Sequence, residues 1–68
     1  MHATDKQIGY AIDLMSKYGW LVADAVRPES NVVLREFAAA YARKRAKTYI
    51  RSLSLADAST LIGELKSL

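Results

Sequence analysis

Apolar residues recur at helical spacing in three stretches of this chain, and nowhere do they alternate in the two-residue rhythm of a half-buried strand. The pattern predicts an all-α protein, a compact three-helix domain whose middle helix is prone to break in two. The first stretch opens at Thr4-Asp5-Lys6-Gln7, where Thr4 and Gln7 have the spacing of a capping box. Ile8, Ala11, Ile12, Leu14, Met15 and Tyr18 then share one face about 160° wide. Asp13 and Lys17, one helical turn apart, pair on the other side. Gly19 is expected to end this helix in the left-handed conformation, with Trp20 packing back onto Met15. Pro28 disfavours helical backbone at Arg27, so a new helix should begin near Pro28 or Ser30.

The second stretch, Val32 to Leu53, carries an internal conflict. Leu34, Phe37, Ala38 and Tyr41 define one apolar face, whereas Ala46, Tyr49, Ile50 and Leu53 define another, rotated by about 100°. A straight helix cannot turn both toward one neighbour, which predicts a break or kink between Arg43 and Lys47. The third stretch begins at Ser54, with Asp57 in capping-box position, and runs along Ala58, Leu61, Ile62 and Leu65. Beside that stripe lies a row of small residues, Ala56, Ser59, Thr60, Gly63 and Ser67, which could admit a second helix.

A chain of 68 residues makes one domain, residues 1–68, near the lower size limit for folding alone. It has no cysteine, so disulfides and thiolate metal sites are excluded. Its core must come from helix packing, and since much of its 51% apolar content is alanine, that core should be thin and self-association is a live alternative. The sole histidine, His2, stands near the terminus, where chains usually fray. There is thus no ordered histidine base, no cysteine nucleophile, no carboxylate dyad within a helix and no glycine-rich phosphate loop. The expectation is a protein that is not an enzyme, with no catalytic residue, metal or cofactor. The longest apolar run, Phe37 to Ala42, is far too short to span a membrane, and the first residues lack signal-peptide character. A cytoplasmic protein without a membrane partner is expected.

The net charge of +3 is unevenly spread. Residues 37–56 hold five cations, Arg43, Lys44, Arg45, Lys47 and Arg51, and no acid, while the rest of the chain has five cations against all seven acids. On a continuous helix Arg43, Lys47 and Arg51 would form one stripe, roughly 12 Å long at about 1.5 Å per residue, with Lys44 beside it and Thr48 on its flank. Such a stripe can meet successive phosphates of DNA or RNA, which gives affinity without base readout. The bland alternative is a solvated face. Tyr10 could stack on a base between Lys6 and Lys17, though a place at the core border over Leu14 suits it better.

Both ends also carry a resemblance. Thr4, Lys6, Gln7, Leu14, Gly19 and Trp20 at the start, with Tyr49-Ile50, Leu53, Ser54, Ser59, Leu61, Ile62, Leu65 and Lys66 at the close, resemble a group of small helical proteins of actinobacteria and their phages. The match covers about half the chain, mainly capping and core positions. Related end motifs look like short modules on phage recombination and replication proteins, so the resemblance implies a link to DNA metabolism. It departs in the middle, where the group is glycine-containing or acidic and this chain has Arg43-Lys44-Arg45-Ala46-Lys47. The function expected is therefore non-catalytic nucleic-acid binding through a basic helix. The alternative is a phage-type or host regulatory module that docks on protein, as a homodimer or on an acidic partner.

Overall fold

The computed structural model describes all 68 residues and holds four helices: α1 (Asp5–Ala25), α2 (Val32–Ala42), α3 (Ala46–Arg51) and α4 (Leu55–Lys66). The all-α class is as expected, and the count rises from three to four because the middle segment divides completely. No helix is long and apolar enough to cross a membrane.

Capping chemistry sets the starts. Thr4 Oγ1 accepts from the Gln7 amide at 3.1 Å, and Gln7 Oε1 accepts from the Thr4 amide at 3.1 Å, completing the box. Asn31 caps α2 by accepting from the Val33 amide at 2.9 Å, and Ser54 caps α4 by accepting from the Asp57 amide at 3.1 Å. The chain start does not fray. The Ala3 amide donates to the Leu53 carbonyl at 3.0 Å and the Leu55 amide to the Met1 carbonyl at 2.9 Å, so residues around His2 lie antiparallel to the turn before α4. Gln7 Nε2 reinforces that junction by donating to the Leu55 carbonyl at 3.3 Å.

Helix α1 runs through Gly19 to Ala25, and Gly19 has no positive φ, so the expected stop at Gly19 is not made. Continuation buries Val22 completely, worth about 1.5–3 kcal/mol, against about 1 kcal/mol for a glycine in a helix interior. Gly19 serves another purpose. A Cβ there would lie 2.6 Å from Tyr41 Cε2, so the missing side chain lets the α2 ring rest on the α1 backbone. Trp20 accordingly points outward, 63% exposed, with its indole N–H donating to the Lys17 carbonyl at 3.1 Å rather than packing on Met15. The true end comes at Val26, in extended backbone ahead of Pro28. There the Arg27 guanidinium donates to the Asp24 and Val26 carbonyls at 2.7 and 3.1 Å, covering acceptors the helix leaves free.

All four helices reach one core. Val22 of α1, Phe37 of α2, Ile50 of α3 and Leu61 and Leu65 of α4 are its largest fully buried side chains, and no polar side chain is buried. Three of its twelve members are alanines (Ala11, Ala46 and Ala58), which keeps the helices close and the core thin. Helix α3, too short to hold itself, is anchored by Ile50 and Ala46 and by the Tyr49 hydroxyl, which donates to the Val33 carbonyl of α2 at 3.1 Å. Burial, and then the negative charges of Glu36 and Asp57, push the Tyr49 phenol from 10.0 up to about 12.

Two tests follow from this packing. Gly19→Ala gains helix propensity but meets the Tyr41 ring, so its effect should depend on that ring. In a Tyr41→Ala background Gly19→Ala should stabilise by up to about 1 kcal/mol, and in the wild type it should be less favourable by at least about 1 kcal/mol. Additive urea-melt energies would mean that the ring and the glycine do not touch. The second test concerns Tyr49. A phenol that ionises less readily when folded contributes stability that is whole below about pH 10 and is lost as pH rises toward 12. Tyr49→Phe should cost about 1 kcal/mol at neutral pH and should lack this part of the alkaline loss. Urea melts at about pH 9 and about pH 11.5 compare the two, and equal alkaline losses would assign the effect to other groups.

Candidate nucleic-acid interface

The five cations of the acid-free segment occupy four different local settings. Arg43 is the C-cap of α2, Lys44 stands alone in left-handed backbone at φ 61°, Arg45 is the N-cap of α3, and Lys47 and Arg51 lie one turn apart on α3. The break falls where the rotated apolar faces required it. It also undoes the continuous stripe, because Arg43 belongs to a different helix from Lys47 and Arg51. What the fold presents instead is a basic turn followed by one short basic helix.

The turn is a Schellman closure. The Arg45 amide donates to the Ala40 carbonyl at 2.8 Å and the Lys44 amide to the Tyr41 carbonyl at 3.0 Å, satisfying acceptors at the end of α2. Glycine usually holds the left-handed position, and a lysine there costs about 1 kcal/mol or more. The closure nevertheless brings Ala46 and Ile50 into the core while keeping all five cations exposed. None of them forms an ion pair. The chain's salt bridge is the expected one on α1, Lys17 Nζ to Asp13 Oδ2 at 3.3 Å. Cations free of acidic neighbours keep their field for an incoming anion.

Beside the turn lies a groove of about 760 Å³ between the second half of α1, the end of α2 and the start of α3. Its floor is apolar, with Met15, Val22, Ala38, Tyr41 and Ala42, and its rim carries Lys44, Arg45 and Lys47 with Thr48. No Asp or Glu lines it. Periodicity places Met15, Ala38 and Tyr41 on core faces, which hides the groove from a reading of the sequence. The available signal was alanine at positions 38, 42 and 46, too small to fill the angle between helices.

The remaining candidates lie elsewhere. Tyr10 is 44% exposed, its ring 5.9 Å from Lys66 Nζ, in a hollow it shares with Leu14 and Lys17 rather than beside the basic turn. The small residues of α4 face outward or lie half-buried. Thr60 and Ser67 turn their hydroxyls onto the Ala56 and Gly63 carbonyls of their own helix, at 3.1 and 3.0 Å. Nowhere do three His, Asp or Glu side chains converge.

Because Lys44 sits in the left-handed region, charge and backbone can be separated at this position. Lys44→Gly should raise stability by about 1 kcal/mol, and Lys44→Val should lower it by more than that. Thermal melts of both variants check the turn directly, and a destabilised glycine variant would show that the closure depends on the lysine side chain.

Comparison with family models, with curated proteins and with solved structures finds no match to this chain.

Proposed function

We propose that this protein binds nucleic acid without catalysis, with phosphates of DNA or RNA meeting Arg43, Lys44, Arg45, Lys47 and Arg51. One observation carries the reading: five exposed cations, none in an ion pair, gathered over a turn and a short helix with no acid between residues 37 and 56. The resemblance of the chain's ends to the actinobacterial and phage group supports it by analogy. Lysine and arginine at phosphates supply affinity and register but no sequence readout, so the binding is expected to be broad in sequence and strongly salt-dependent. Splitting the cations between a turn and a short helix suits an irregular path of phosphates as well as a regular one.

The salt dependence tests both the site and the reading. Gln at Arg43, Lys47 and Arg51 together removes three charges while keeping helix propensity. If each cation neutralises one phosphate of duplex DNA, the log-log salt slope should become shallower by about 2.7, at roughly 0.9 per contact. Gln at Lys6, Lys17 and Lys66 removes as much charge elsewhere and should leave the slope nearly unchanged. Equal losses from both triple variants would point to a general charge effect and defeat the local site. No binding of mixed DNA or RNA by the wild type at low salt would defeat the nucleic-acid reading itself. It would leave the protein-docking one, as a homodimer or on an acidic partner.

A further inference from the structure

We propose that the groove between α1, α2 and α3 is a binding site for a monomeric anionic amphiphile, in its simplest form a medium-chain carboxylate. The chain lies on the apolar floor and the carboxylate meets Lys44, Arg45 and Lys47. The inference stands apart from the nucleic-acid reading and needs no nucleic acid for its test.

Three features define the occupant. The volume of about 760 Å³ falls within the range of small-molecule sites, roughly 300–1,000 Å³. Val22 is already buried beneath the floor, and the accessible parts of Met15, Ala38, Tyr41 and Ala42 offer apolar surface that gains by leaving water. The charge is one-sided, for the cations on the rim come from residues 44–47 alone and no acid offsets them. A neutral apolar ligand would leave those cations unused, and a bare anion would leave the floor wet. A molecule with an apolar body and one anionic end satisfies both, and Arg45 can hold a carboxylate through two parallel N–H donors.

Extent and chemistry set other occupants aside. From Met15 to Val22 the floor runs only about 10 Å along α1, two helical turns. A stable protein interface buries about 800 Å² on each partner, well beyond such a floor. Nucleobases need aromatic platforms, whereas the floor's one ring, Tyr41, rests against Gly19 and tilts onto Phe37 at 6.1 Å between centroids. Alanines at 38, 42 and 46 hold the groove open, so filling one of them should close it.

The test is titration of the isotope-labelled chain with decanoate below its micelle-forming concentration, read by amide shifts and calorimetry. Saturable shifts confined to the groove are expected. Decanoate should bind about fifteenfold tighter than octanoate, from about 0.8 kcal/mol for each of two methylenes. Decanol should bind more weakly than decanoate, and decyltrimethylammonium more weakly still. Ala42→Phe should abolish binding. If circular dichroism shows that variant unfolded, Lys47→Glu carries the test, weakening decanoate while sparing decanol. Decanol binding as tightly as decanoate would overturn the proposal, as would shifts spread over the whole chain. Shifts at the groove with an acidic amphipathic peptide but none with decanoate would assign the groove to a protein segment and overturn it equally.

Discussion

The reversal of the backbone at Lys44 is the constraint on which the rest of the molecule depends. Two apolar faces about 100° apart cannot be buried by one straight helix, and the left-handed residue rotates the second face back toward the first. Ala46, Ile50 and Leu53 thereby join Leu34 and Phe37 in one core. The cost of a side chain at positive φ is about 1 kcal/mol or more, and burying Ile50 alone is worth about 1.5–3 kcal/mol. The balance favours the break. The same closure satisfies the Ala40 and Tyr41 carbonyls at the end of α2.

Small side chains shape the packing as much as large ones do. Gly19 admits the Tyr41 ring against α1, and Ala11, Ala46 and Ala58 are buried where bulk would force the helices apart. The thinness has a consequence at the surface. Where Ala38, Ala42 and Ala46 meet the flank of α1, the space between helices stays unfilled and becomes the groove. A chain of this size cannot cover all its apolar surface, and here one uncovered part adjoins the most basic part.

Charge and fold are coupled at that junction. The bend that completes the core also sets Arg43, Lys44 and Arg45 on consecutive positions of a tight turn, where all three are exposed. A continuous helix would have aligned Arg43, Lys47 and Arg51 in a row with Lys44 beside them and turned Arg45 to the far side. The turn instead sets Lys44, Arg45 and Lys47 around one rim, next to apolar surface, so the region can serve anions of more than one kind. Phosphate and carboxylate differ in what accompanies the charge, and the groove bears on that difference alone.

Local signals made much of this architecture legible. Thr4 with Gln7, Ser54 with Asp57, and Asp13 with Lys17 act within one or two turns, so their pairings follow from spacing. The first box and the ion pair are made in full, while at α4 Ser54 caps but Asp57 does not reach back. The break near Arg43 was also legible, because it follows from the angle between two stripes. Gly19 misled for a definite reason. Glycine favours both a left-handed stop and a close approach, and only the position of Tyr41, 22 residues further on, selects the approach. Trp20, Tyr10 and the pinned chain start depend likewise on what lies across space. The sequence by itself determined the helical class, the caps and the location of the basic segment, since these rest on periodicity and near neighbours. Tertiary structure alone decided that the basic stripe is divided and that a groove adjoins it, because both depend on how four helices rotate to share one core.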